Sequence, residues 1–123
     1  MARIFDLHRK STLALRQRKA GLLRQLDLPG DLLRASVVER FSTCGKVRCH
    51  CHHGGPKHGP FYYLTQCLAV GRINKFLLKS PEQQLSARRG VEHCRHLQER
   101  LEELSQINAE LLRRDEPLAK EAR

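Results

Sequence analysis

Cys44-Gly45-Lys46-Val47-Arg48-Cys49-His50-Cys51, followed by His58-Gly59-Pro60-Phe61-Tyr62-Tyr63-Leu64, is the stretch that decides how this chain folds. Three cysteines fall within eight residues, and His50, His52, His53 and His58 stand beside them. Thiolate and imidazole are the donors that Zn2+ prefers, and a structural zinc site takes four of them. Cys44, Cys49 and Cys51 are the first three expected ligands. Gly45 suits the tight backbone of a knuckle. Cys49 and Cys51, two apart, share one side of an extended backbone. His58 is the expected fourth ligand because it borders the strand that follows. His50, His52 and His53 compete with it, and Cys67 is a distant alternative. A disulfide framework fits the odd count of 5 Cys poorly, and no C-x-x-C pair suggests a redox dithiol. The plainer reading is reduced thiols beside solvated histidines.

Reading outward, Val37–Phe41 is short and rich in β-branched and aromatic residues, which predicts a strand. Thr43–Gly59 predicts a loop. Phe61–Leu68 and Arg72–Leu78 flank Ala69-Val70-Gly71 and predict a hairpin. A β module of residues 36–80 is too small for its core alone to suffice, so metal binding there would be folding energy. Residues 4–26 predict a helix with a stripe of Leu15, Leu22, Leu23 and Leu26. Leu28–Asp31 reads as a turn, and Leu32–Ala35 as a short helical turn. Ser80-Pro81-Glu82-Gln83 is a strong helix start, with Ser80 as N-cap and Gln83 able to close a capping box. That helix should run to about Arg114. The expected fold class is α+β. It comprises a basic helical segment (1–35), a zinc-stapled β module (36–80), a long amphipathic helix (81–114) and a tail (115–123).

The chain of 123 residues has a formal net charge of +10. Residues 1–61 carry 12 basic and 4 acidic side chains, residues 62–80 carry 3 basic and none acidic, and residues 81–123 carry 8 basic and 9 acidic. The excess therefore lies upstream of the long helix and points to a polyanion. The longest run without Lys, Arg, Asp or Glu, His58–Gly71, is shorter than the ~20 residues of a membrane span. Neither a secretory h-region nor a paired-cysteine framework is present, which points to the cytoplasm. No Walker loop, G-x-S-x-G or H-E-x-x-H occurs, and no Asp or Glu lies between Phe41 and Ser80. The expectation is a protein that is not an enzyme.

The pattern Cys44-Gly45-Lys46-x2-Cys49-x-Cys51, a Gly-rich loop, His58-Gly59-Pro60 and Tyr62-Tyr63 resembles an uncharacterised small prokaryotic family. That family is catalogued as a domain of unknown function and is often seen near transposase genes. The resemblance covers about residues 36–112 and includes Ser105–Leu112 at the helix end. His50 and His52-His53 depart from it, since relatives more often carry Arg or small residues there. The resemblance implies this fold and a mobile-element setting, and no activity.

The basic residues and the hairpin together suggest nucleic acid, with DNA preferred to RNA. A two-stranded ribbon can enter the major groove. Arg72 and Asn74 are suited to base edges, Lys75 and Lys79 to phosphate, and Lys46 and Arg48 would extend the patch from the knuckle. Tyr62 and Tyr63 fit a nucleic-acid surface or the packing of the hairpin on a helix. Arg16, Arg18 and Lys19 could track a backbone while the leucine stripe packs. In the long helix, Cys94, Leu97, Leu101, Leu104, Asn108 and Leu111 form a heptad seam with Asn108 at an a position. Residues 87–112 could therefore join a homodimer or a transposase partner. The alternative is a helix packed on its own domain, as an antiparallel hairpin with residues 4–26. Two functions emerge: a zinc-stabilised DNA-binding accessory or regulator of a mobile element, or a zinc-stabilised protein adaptor.

Overall fold

Ser11 and Ser80 each start a helix by the same device. In the computed structural model, which describes residues 3–119, the Ser11 hydroxyl accepts the Ala14 N–H at 3.1 Å and opens α1, Thr12–Gln25. The Ser80 hydroxyl accepts the Gln83 N–H at 3.1 Å, and the Gln83 carboxamide oxygen accepts the Lys79 N–H at 2.6 Å. This capping box opens α2, Pro81–Arg113. At the far end of α2, the Glu116 N–H reaches the Leu111 carbonyl and the Asp115 N–H reaches that of Leu112. Asp115 takes a φ of 61°, so the helix closes in a Schellman turn before Pro117. Of the tail expected at 115–123, residues 120–123 lie outside the described residues.

Between the helices lie β1 (Ser36–Ser42), a 3-10 turn (His50–His52), β2 (His58–Ala69) and β3 (Arg72–Leu77). The strands form one antiparallel sheet in the order β1-β2-β3. The α+β class is as the sequence predicts. No helix among the described residues is long and apolar enough to cross a membrane.

Two expected segments differ. Residues 3–10 precede α1 without helix, because the cap at Ser11 fixes the start there. Leu32–Ala35 forms no helical turn. That segment instead lies along α2, where the Leu33 N–H bonds the Gly90 carbonyl at 3.1 Å and Asp31 meets His93 at 2.7 Å. The His93 ring holds the Asp31 carboxyl below the usual carboxylate range.

The chain forms two compact units, one of residues 1–30 and 95–123, the other of residues 31–94. In the first, Leu7, Leu15, Leu22, Ile107 and Leu111 make the buried core. Leu23 was expected in this stripe but is exposed. At about 100° per residue, Leu22 returns to within about 20° of Leu15, while Leu23 sits about 80° away. Thr12 meets Arg114 and Arg18 meets Glu103, so α1 and the end of α2 run in opposite directions. Arg18 grips the buried Glu103 with two hydrogen bonds of 2.6 and 2.8 Å and holds that carboxyl below its ordinary range. Arg113 and then Arg114 pull the Glu110 carboxyl down to about 2.

In the second unit, Leu64, Leu78 and Ala87 are the buried core, with Leu33, Val37, Tyr62 and Val91 packed on it. Val37 pairs with Leu64 across the sheet, which places both on the face toward α2. Gly90 is buried where the 31–33 segment crosses the helix. A Cβ there would collide with the Asp31 carbonyl and come within 2.9 Å of Leu33 Cδ1. Gly21 in α1 is the opposite case, since a Cβ would meet nothing nearer than an Arg24 nitrogen at 3.9 Å. Urea denaturation should show Gly90→Ala destabilised by about 1–3 kcal/mol, and Gly21→Ala stabilised by about 0.5–1 kcal/mol, the usual cost of glycine inside a helix.

Candidate metal centre

The register of β1 on β2 assembles the cluster. Ser42 pairs with His58, so the chain leaves β1 and re-enters β2 at neighbouring points. The ladder shifts between Arg40 and Ser42, where His58-Gly59-Pro60 begins β2. Gly59 has a φ of 137°, a conformation that favours glycine, and a Cβ there would stand 2.9 Å from the Arg40 carbonyl. The Gly59–Pro60 peptide is cis. The closed loop folds on itself through short turns. The Cys49 N–H bonds the Lys46 carbonyl at 3.0 Å, the His52 N–H bonds that of Cys49 at 3.0 Å, and the Gly55 N–H bonds that of His50 at 2.8 Å.

These turns gather Cys44, Cys49, Cys51 and His58, whose donor atoms all lie within 4.8 Å of one another. Cys44 Sγ is 3.7 Å from Cys51 Sγ, and Cys49 Sγ is 3.3 Å from His58 Nε2. All five cysteines are free thiols. The four donors are close enough to bind one metal ion. Cys49 and Cys51 reach it differently from the extended geometry expected. Cys49 is extended, but Cys51 sits in the 3-10 turn and is buried.

Two of the competing histidines have backbone partners, and the third sits beside the cluster, with His50 Nδ1 3.8 Å from Cys49 Sγ. His52 Nε2 lies 2.6 Å from the Cys44 carbonyl and His53 Nε2 lies 3.0 Å from that of Val47, so each nitrogen donates to a backbone oxygen. The His50 ring stands 6.1 Å from that of His58. Cys67 is on the far part of β2, exposed. The Cys51 backbone N–H, followed by the His58 ring, stabilises the Cys49 thiolate and holds that thiol down to about 6. Burial pushes the Cys51 thiol up.

The remaining candidate residues divide between the units. Lys46, Arg48, Arg72, Lys75 and Lys79 are exposed in the second unit. The Lys75 ammonium stands 4.9 Å over the Tyr63 ring. Arg72 and Asn74 alternate with Lys75 along β3 and occupy the opposite face. Tyr62 belongs to the helix-facing cluster, with the Arg88 guanidinium 5.0 Å over its ring. Arg16, Arg18 and Lys19 are engaged within the first unit. Arg16 bonds Glu116 at 2.9 Å, Arg18 bonds Glu103, and Lys19 bonds Asn108 at 2.7 Å and the Leu118 carbonyl. Of the heptad seam, Leu111 is fully buried in its own unit and Cys94 is buried. Leu97 and Leu104 are half-buried, and Leu101 is 49% exposed. Sequence reading passed over Arg40 and Lys57, both exposed. The signal for them was the absence of any acid from Arg40 to Lys79.

The model of a domain of unknown function (DUF6788) matches residues 12–66 of this chain. The matched span runs from α1 into β2 and includes all four donors. That description carries no activity. No curated protein and no solved structure matches the chain.

Protein purified without added metal should carry a stoichiometric ion by elemental analysis. Cys51→Ser or His58→Ala should lose it, and His52→Ala should keep it. Negligible metal in the parent chain, with folding unchanged by chelator, would refute the site.

Proposed function

We propose that this chain is a zinc-stabilised nucleic-acid-binding module, with DNA preferred to RNA. It would serve as an accessory or regulatory protein, of a mobile element as the sequence resemblance implies. Zinc is the metal that fits the donor chemistry. Zn–S bonds of about 2.3 Å in a tetrahedron require sulfurs about 3.8 Å apart, and Cys44 and Cys51 stand 3.7 Å apart. Three thiolates and one imidazole make a closed set, the mark of a structural site.

The observation that carries the nucleic-acid reading is a set of seven unpaired cations. Arg40, Lys46, Arg48, Lys57, Arg72, Lys75 and Lys79 are all exposed, and the segment holding them contains no acid. Among the described residues, none of the seven forms an ion pair with a carboxylate. Such charges condense onto phosphates and release counterions, so binding weakens steeply with salt. DNA, single- or double-stranded, should be retained at low salt and lost as salt rises. Replacing Arg72, Lys75 and Lys79 with Gln should flatten the slope of log K against log[salt] by up to about 3, roughly one per lost phosphate contact. Negligible DNA binding at low salt would overturn the reading.

A second reading, the protein adaptor, is favoured by one observation. Leu101, Leu104, Asn108 and Leu112 line an open groove on α2, and Leu112 is 61% exposed. It predicts that Leu101→Asp with Leu104→Asp abolishes self- or partner association in light scattering or pull-down while metal stays bound. Full association in those variants would show that this face is not the interface.

A further inference from the structure

The two faces of the sheet have different company. Every buried residue at the sheet belongs to the cluster under α2, and among the described residues none on the opposite face is buried. The register fixes what that opposite face displays. Val38 pairs with Tyr63, Arg40 with Phe61, and Tyr63 with Leu77. Strand alternation adds Lys75 beside them. Two aromatic residues on the central strand are thus half-buried, with two exposed cations alongside. Glu39, the nearest acid in sequence, alternates to the other face. The Lys75 ammonium over the Tyr63 ring marks that ring face as reachable by a flexible chain and not sealed by packing.

We infer that this open face is a stacking platform for single-stranded nucleic acid, an inference that rests on the nucleic-acid reading above. Phe61 and Tyr63, two residues apart on β2, lie about 6.7 Å from one another along the strand. Stacked bases rise by about 3.4 Å. Neighbouring bases must therefore separate for each to meet a ring, which an extended single strand permits and a duplex does not. Every base has a π-face, so the contact takes any sequence. Arg40 and Lys75 flank the rings and take the phosphates between, with Lys75 leaving Tyr63 as the base arrives. The groove-reading residues expected on the hairpin, Arg72 and Asn74, are on the other face and line no part of the stacking platform.

The chain has 2 Tyr and no Trp, which makes the test direct. In the full-length Tyr62→Phe variant, Tyr63 is the sole source of tyrosine emission, and its own surroundings are untouched. Titration with oligodeoxythymidine should quench that emission, and a duplex of equal length should not. Tyr63→Leu should weaken single-strand binding about tenfold or more and duplex binding little, while Tyr63→Phe retains the parent affinity; metal content should be equal in all three. Equal affinity for the two forms without quenching overturns the platform and leaves the charge-based reading standing. Unchanged single-strand affinity in Tyr63→Leu does the same. Failure of both forms to bind at low salt removes both readings.

Discussion

Pairing of Ser42 with His58 is the interaction on which the second unit depends. It closes the loop of residues 43–57, places His58 beside the thiols, and sets the register that sorts the side chains of β1 and β2 between two faces. A loop of that length has an entropic closure cost, and the strand ladder alone has little core behind it, a buried cluster of Leu64, Leu78 and Ala87. A metal ion held at Cys44, Cys49, Cys51 and His58 would cross-link the same loop at its base. Strand pairing and ligation thus reinforce one closure, and loss of either would release the other.

The units treat positive charge in opposite ways. In the first, Arg16, Arg18, Arg113 and Arg114 meet carboxylates of Glu116, Glu103 and Glu110. Two cations of α1 are thereby paired across to the end of the chain's last helix and the turn after it, and charge there serves to hold these segments together. Glu103 is buried, so removing Arg18 would strand a carboxylate away from water. In the second unit, seven cations between Arg40 and Lys79 have no acid in their segment. The net charge of +10 is a sum over both behaviours.

Local signals in the sequence were legible where they were short-range and chemically specific. The capping box at Ser80 marked the start of α2, and the Cys/His spacing located the cluster. What escaped depended on distant partners. Leu33 bonds Gly90 and so forms no helical turn, yet nothing near Leu33 says so. The charge of Arg16, Arg18 and Lys19 reads as a free basic face until residues about a hundred positions away supply Glu116, Glu103 and Asn108. His58, by contrast, was legible as the fourth donor from its place at the edge of the strand, and the backbone carbonyls beside His52 and His53 are the partners that spacing did not show.

The tyrosine pair shows how much one residue of register decides. Tyr62 and Tyr63 are chemically identical neighbours, yet Tyr62 is packed among Leu64, Val91 and the α2 face while Tyr63 points outward beside Phe61 and Lys75. A slip of one residue in the β1–β2 ladder would exchange them and turn Leu64 out of the core. The shift near Ser42, enforced where Gly59 passes the Arg40 carbonyl, guards against that slip at the end of the ladder nearest the thiols. The geometry of the Cys/His cluster and the identity of the aromatic ring turned away from α2 follow from the same backbone constraint. A change at Gly59 should therefore disturb both, although it is neither a ligand nor a surface contact.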